Sequence, residues 1–434
     1  MPDQLEDVQS QLKQALAKIA KLEKEVANLR AQLRRYENPH TPPSKDQRVK
    51  ARKRPPKHGS PGRPSGFKGS TRPQPVPDRT ERVELKTCPH CAAKLGKPVK
   101  VERSIVEEIP EPQPVEAVCY ETLHYRCKAC GSAIVSKHPD KPKSGRLGAN
   151  AQVKIALMKY DLRLPHRKTV QSLVRDFRLG VVPATVWNTT KSVAGHLKPT
   201  YREMVKSLRE SECVYIDETG FKVDGKQWWL WVFVTKDATV FALRKSRGVK
   251  VVREMLGRKY DGVIISDGHR SYATYSDKRQ RCWAHLLREL RELAEKSSVA
   301  KCLYLEVLKL YEDVNEALGK DPPPHARQRI HDKAKAHLDW LLTAKRRGRV
   351  GVFVKKMRTA SASLFTFVLH PGVEPTNNIA ERALRENVVI RKIIGTLRNA
   401  VGAEVHETIM SVLATCKQLG QNPYRVLKPM LCCG

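Results

Sequence analysis

The chain has 434 residues, too many for one compact core, and carries 81 Lys and Arg against 45 Asp and Glu, a formal charge of +36. Self-repulsion of that size is relieved by a polyanionic partner, and nucleic acid is the leading candidate over a ribosomal or membrane-surface role. A mean hydropathy of −0.51, no apolar run near the roughly 18 residues that span a bilayer, and a charged N-terminus unlike a secretory signal argue against membrane insertion and for a cytoplasmic, nucleoid-associated protein.

In chain order, Leu5, Val8, Leu12, Ala15, Ile19, Leu22, Val26, Leu29, Leu33 and Tyr36 alternate steps of three and four. This is the a/d seam of a coiled coil, predicted over 1–37. Ile19 and Val26 at a, with Leu22 and Leu29 at d, favour a parallel two-stranded coil and hence a homodimer; a single amphipathic helix docked on its own chain is the alternative. Asn38-Pro39 ends the helix and opens a basic, Pro-rich linker over 38–82. Between positions 44 and 80 it has eleven Lys or Arg and two Asp, a composition that cannot build a core. It reads as a phosphate-neutralising arm, with Arg63 in Pro61-Gly62-Arg63-Pro64 suited to a narrow minor groove, or as a plain solvated linker.

A zinc-binding domain is predicted over 83–143, where Cys88-Pro89-His90-Cys91 and Cys127-Lys128-Ala129-Cys130 are separated by 35 residues. Eleven cysteines in a reducing compartment point to metal ligands and buried thiols rather than disulfides. Two such knuckles can present four thiolates tetrahedrally to one structural Zn²⁺, leaving no open position for substrate. Cys119 and His124 are rival ligands, and a redox pair is the other reading of each motif. Alternation over 100–109 and 118–125 suggests a zinc ribbon of short strands. Residues 144–205 read as a helical, helix-turn-helix-like DNA-binding domain, with 169–179 and 184–197 as its pair of helices. Two helices joined by a short turn occur in other helical domains as well.

From Cys213 the pattern changes to strands at 214–216, 228–234 and 239–243, then a helix at 249–256 and a buried strand at 263–265 ending in Ser266-Asp267-Gly268. This β-β-β-α-β succession lets the first and fourth strands lie side by side, with Asp217 and Asp267 at neighbouring positions. Carboxylates so placed can hold hard cations, and two such ions can drive an in-line displacement at a phosphodiester. Glu381, opening a later helix, is the third acid; alternatively Asn378 caps that helix and Glu381 completes a capping box. Asp217 and Asp267 could equally be turn formers at strand ends.

The stretches Tyr215-Ile216-Asp217-Glu218-Thr219, Ser266-Asp267-Gly268-His269-Arg270-Ser271-Tyr272, Cys282-Trp283-Ala284-His285 and Glu374-Pro375-Thr376-Asn377-Asn378-Ile379-Ala380-Glu381-Arg382-Ala383-Leu384-Arg385 resemble those of insertion sequence 66 family transposases. The resemblance extends to the coil, basic linker and zinc segment in the same order. It implies a ribonuclease-H-like catalytic domain with an acidic triad at Asp217, Asp267 and Glu381. Two Mg²⁺ or Mn²⁺ ions per active site follow, with DNA, as element ends and target, for partner, and accessory proteins encoded by the element as further ones.

The architecture expected is therefore multidomain: coil, zinc ribbon, helical domain, and an α/β catalytic domain in two parts, 206–288 and 373–398, around a helical insertion at 289–372, then a helical tail at 399–434. Within the insertion, 290–318 and 330–343 have helical periodicity, and Lys345-Arg346-Arg347 is either a DNA contact or a solvated loop. Cys282 and His285 lie one turn apart but lack further ligands nearby in sequence, so they read as part of a helix packed toward the active site. Arg382 and Arg385 flank Glu381 and either clamp DNA phosphates or, for Arg385, pair with Glu381. The activity expected is cleavage of element ends and strand transfer. A transposase-derived DNA-binding protein, or a nuclease without strand transfer, is the alternative.

Overall fold

The computed structural model describes residues 18–19, 22–23, 25–26, 75–107, 109, 111–143 and 145–432. Most of the predicted coil and the linker, including Arg63, lies outside them. The chain divides into two units, Met1–Ile109 and Pro110–Gly434.

In the first unit Ile19, Leu22 and Val26 are helical and exposed. Around Cys88 the backbone folds into a tight knuckle, with Cys88 N–H donating to Ala93 O and Ala92 N–H to Cys88 O. No strand forms over 100–107 or at 109, contrary to the ribbon expected there. The alternation is not matched by burial: Val101, Val106 and Ile109 are exposed, so no sheet face selects them.

In the second unit β1 (His124–Arg126) and β2 (Ala133–Val135) form a small antiparallel pair around the second knuckle. Of the strand expected over 118–125, only its end is present, because only 124–126 finds a partner. Three helices follow: α1 (Ala149–Tyr160), α2 (His166–Phe177) and α3 (Pro183–Glu210). Pro183 suits the start of α3, since a first-turn residue has no intrahelical use for its N–H. The predicted helix-turn-helix pair is α2 with the start of α3, but α3 continues through the 205/206 junction, and its Tyr201 and Leu208 pack on the sheet. The helical region and the sheet thus share one core.

The sheet contains β3 (Cys213–Val223), β4 (Lys226–Val234) and β5 (Thr239–Arg244) as an antiparallel meander. The crossover helix α4 (Val249–Leu256) then leads to β6 (Val263–Ser266), followed by a short helix, α5 (Arg270–Ala273), and β7 (Arg279–Arg281). Both β6 and β7 run parallel to β3, in the order β5-β4-β3-β6-β7. Asp224 and Gly225, both at positive φ, close the two-residue β3–β4 hairpin that its right-handed twist favours. Alternate residues feed two cores: Tyr215, Phe221, Leu230 and Val232 on one face, Val214, Ile216, Trp231 and Phe233 on the other. Burial on both faces explains why β4 reads as an unbroken apolar run.

Helices α6 (Trp283–Ala294), α7 (Ser298–Leu318), α8 (Pro324–Leu341), α9 (Gly348–Ala360) and α10 (Thr366–Leu369) build the insertion. The helix expected over 290–318 is two, because the Ser297 side chain caps a new start by accepting from Ala300 N–H. The chain returns to the sheet through α11 (Asn378–Ile394), then α12 (Ala400–Gln418) and α13 (Pro423–Leu431).

The expected tail is an integral part of the sheet's surroundings. Along α12, Glu407, Ser411 and Thr415 accept from the Leu243, Phe241 and Thr239 N–H groups of edge strand β5 at 2.9, 2.8 and 3.0 Å. The match is geometric: four helix residues rise about 6 Å, close to two residues of strand. Thr415, Tyr201 and Arg244 donate to the carbonyls of Thr239, Phe241 and Leu243. An edge that could recruit another strand is covered instead by side chains.

Candidate active site

Strand parity and register bring the three acids within electrostatic reach of one another on one side of the sheet, but their carboxylate oxygens do not form a group within 4.8 Å among the described residues. On β3, Asp217 follows Tyr215 by two residues and so shares its face; beyond β6, Asp267 stands in the same relation to Ile265. The parallel pairing sets Cys213 beside Val263, Val214 beside Ile264 and Tyr215 beside Ile265. Continued by two residues, that register sets Asp217 beside Asp267. Glu381 arrives from the first turn of α11, which packs across this face of β3.

Both ends of α11 are tied down. At its start, Glu374 N–H donates to Tyr215 Oη at 3.0 Å, and Asn377 Nδ2 donates to Ile216 O at 2.8 Å, one residue before Asp217. Asn377 N–H points to Cys282 Sγ at 3.1 Å, and Pro375 O accepts from Trp283 N–H. At its end Arg391 donates to Gly220 O and Leu397 N–H to Lys222 O. The helix starts at Asn378 with Asn377 as its flanking residue, and no side chain caps it. The capping box is therefore absent. Glu381 Oε1 is buried without a hydrogen-bond partner among the described residues.

Burial first, and then the negative charges of Glu218, Asp267 and Glu381, push the Asp217 carboxyl up to about 8. Glu218 faces the opposite side of β3, where it binds the Tyr272 hydroxyl and accepts from Arg247 Nε at 2.9 Å. Burial raises its pKa too, and the bonds to Tyr272 and Arg247 oppose that rise. Arg247 also lies over the Trp229 ring, 4.5 Å from its centroid. This network joins β3 to the segment after Asp267, whose carboxylate accepts from His269 N–H at 2.8 Å. Sequence reading passed over Glu218 and Tyr272, although each lies in a quoted motif.

Beside Asp267 opens a cavity of about 430 Å³, lined in part by Arg281, His285, Arg288 and Lys356. Arg281 lies against Gly268, where any Cβ would strike the guanidinium. Lys356 pairs with Glu289 across the cavity lining. Strand β7, which carries Arg281, has too little apolar pattern to be seen in sequence.

Arg382 and Arg385 are exposed, and neither has an ion-pair partner among the described residues, so the Arg385–Glu381 pair is not formed. What faces Glu381 is His285, with Nδ1 to Oε1 at 3.7 Å. Among the described residues, the group of three potential ligands within 4.8 Å of one another is Cys282, His285 and Glu381. Sequence spacing could not reveal this group, because its third member comes from α11.

The second knuckle repeats the first. Cys127 N–H donates to Ser132 O and Gly131 N–H to Cys127 O, and the residue after each second cysteine, Ala92 or Gly131, has positive φ. Hydrogen bonds from the His90 and Cys91 amides hold Cys88 below the usual thiol range, and bonding to Ser132 lowers Cys130 to about 7.

Residues 144–405 match the family described as "Transposase IS66 family". The chain belongs to this family. Two relatives are both described as uncharacterized proteins of Sinorhizobium fredii (strain NBRC 101917 / NGR234). One, y4qI, is 26% identical over 260 residues, 51% of this chain and 47% of that protein. The other, y4jD, is 21% identical over 387 residues, 80% of this chain and 74% of that protein. The chain thus spans about half the length of the first relative. All three acids of this IS66 family transposase, and the Cys282–His285 pair, lie inside the family span; both knuckles and the segment expected to form a coil precede it. No described helix is long and apolar enough to cross a membrane.

Proposed function

We propose that the chain is a DNA transposase of the Asp-Asp-Glu type with a ribonuclease-H-like catalytic domain. In this reading Asp217, Asp267 and Glu381 hold two Mg²⁺ or Mn²⁺ ions, and the protein cleaves element ends and joins the freed 3′ hydroxyl to target DNA. The single observation that carries it is the β3–β6 register, which aligns Asp217 with Asp267 beneath the first turn of α11.

The residues fit hard cations. Asp217 holds its proton because burial and acidic neighbours disfavour its charge, a repulsion that a divalent ion relieves, and Glu381 Oε1 is buried without a hydrogen-bond partner. Bound there, two cations would activate the attacking oxygen and neutralise the leaving one. Within the chain, Glu218, Arg247 and Tyr272 hold the two aspartate-bearing segments in register, and Asn377 fixes the start of α11 against β3. Arg281, Arg288 and Lys356 at the cavity supply positive charge for phosphates. Exposed Arg382 and Arg385 extend that surface, and Arg63 with the basic linker adds a minor-groove contact.

Two further parts complete the reading. Cys88, Cys91, Cys127 and Cys130 bind one structural Zn²⁺, a choice supported by the identical design of the two knuckles. The N-terminal coil pairs two chains, and accessory proteins encoded by the element join the complex on DNA in the nucleoid.

The test incubates purified protein with labelled element ends, target DNA and Mg²⁺. Cleaved and joined products are expected, and Asp217→Asn, Asp267→Asn and Glu381→Gln should each abolish cleavage while end binding persists. Cleavage by folded Glu381→Gln would remove that residue from the site. Cleavage without joining would mark a nuclease, and end binding without cleavage a DNA-binding protein.

A further inference from the structure

We infer that Cys282, His285 and Glu381 form a second cation site, selective for a thiophilic divalent ion such as Zn²⁺ or Cd²⁺, which inhibits the enzyme by claiming Glu381. The binding site rests on geometry alone; the inhibition rests on the proposed catalytic role of Glu381.

Three donors of different chemistry converge from two elements. Cys282 immediately precedes α6, His285 lies in its first turn, and Glu381 comes from α11. Their ligand atoms all lie within 4.8 Å of one another. With bonds of about 2.0–2.3 Å, tetrahedral zinc sets its ligands roughly 3.3–3.8 Å apart. His285 Nδ1 and Glu381 Oε1 are already 3.7 Å apart, too far for a hydrogen bond and right for two ligands of one ion. Both atoms are buried, and neither has a hydrogen-bond partner among the described residues. With Nδ1 as the unprotonated ring nitrogen, two buried acceptors face each other, and a cation between them relieves that arrangement as protonation of the ring would.

Charge and surroundings agree. One thiolate, one carboxylate and a neutral imidazole balance a divalent ion, so the loaded site is electroneutral. Asn377 N–H, 3.1 Å from Cys282 Sγ, would support the sulfur as a ligand after its proton passes to solvent. His285 lines the cavity beside Asp267, so a fourth position can open toward it. Mg²⁺ prefers oxygen ligands and avoids sulfur, whereas Zn²⁺ and Cd²⁺ accept a mixed sulfur, nitrogen and oxygen set. Glu381 is thus shared between two kinds of metal, and binding at one site empties the other.

The probe is Cd²⁺ alone, titrated into the full chain and followed by its near-ultraviolet thiolate absorption. Wild type should bind one more Cd²⁺ than Cys282→Ser, with the absorption of one additional thiolate. In the Cys88→Ser, Cys127→Ser double variant, which weakens the knuckles, the difference made by Cys282→Ser should persist. His285→Ala should weaken the same binding step by roughly 10-fold or more. Equal stoichiometry and absorption in wild type and folded Cys282→Ser would overturn the site. Should Cys282→Ser fail to fold, unchanged Cd²⁺ affinity in His285→Ala would overturn it equally.

Glu381→Gln separates the two inferences. Weakened Cd²⁺ binding with intact Mg²⁺-dependent cleavage supports this site and removes the catalytic role of Glu381. Lost cleavage with unchanged Cd²⁺ affinity overturns this site and leaves that role standing.

Discussion

Replacing Asp217 by Asn should stabilise the metal-free protein while abolishing cleavage. The carboxyl sits at about 8 in the folded chain, raised first by burial and then by Glu218, Asp267 and Glu381. In the unfolded chain it would titrate near 3.9. Because the folded state holds the proton more tightly, its advantage is complete below the unfolded value. It declines as pH rises and is fully lost above about 8. At pH 7 the loss amounts to about 4 kcal/mol. Asn keeps an oxygen to accept from Glu218 N–H, the bond Asp217 Oδ1 makes at 2.9 Å, and carries no charge. With roughly 2.1 cal/mol/K of unfolding entropy per residue over the unit Pro110–Gly434, the gain corresponds to about 6 °C in Tm. Thermal unfolding in chelator from pH 4 to 8 should show the variant's advantage growing with pH and vanishing at the acidic end. Mg²⁺ should then raise the Tm of wild type more than that of the variant. An advantage constant with pH, or none at pH 8, would refute the reasoning, because it would mean that Asp217 carries no electrostatic strain.

Glu407→Ala should cost about 3–5 kcal/mol in urea unfolding, since it orphans the Leu243 N–H and leaves Arg244 with only Glu254 for its charge; a cost below about 1 kcal/mol would mean that water replaces the edge cover. Elemental analysis should find one tightly held Zn²⁺ per chain, lost in Cys88→Ser and Cys130→Ser and kept in Cys119→Ser; zinc lost with Cys119 instead would make the ligand set wrong. Light scattering should give a dimer for wild type and a monomer for the Ile19→Asp, Leu22→Lys double variant, because unpaired charge in an a/d seam is costly. An unchanged mass would move dimerisation away from the coil.

Much of the fold was legible in the sequence because its signals are local. Short apolar runs and the Asp224-Gly225 turn marked β4 and β6 within two residues of their observed bounds, whereas β3, expected over 214–216, continues to Val223. The side-by-side placement of β3 and β6 followed from the order of elements alone. The three acids were legible only as separate motifs, and Glu381 had an equally good local reading as a capping residue. Alternation over 100–109 was misleading, since a strand exists only where a partner strand pairs with it.

What only the tertiary structure decided depends on residues far apart in the chain. The β3–β6 register paired Tyr215 with Ile265, two residues before Asp217 and Asp267, and Asn377 bonding to Ile216 O fixed the start of the helix that carries Glu381, with no side chain capping it. Neither the cover of the β5 edge by Glu407, Ser411 and Thr415 nor the meeting of Cys282, His285 and Glu381 has a local signal. The sequence by itself determined which segments could be strand or helix and which residues could carry the chemistry, because propensity, patterning and turn chemistry act over a few residues. Which of those residues meet was decided by packing, because long-range pairing depends on the burial of whole faces rather than on any one motif.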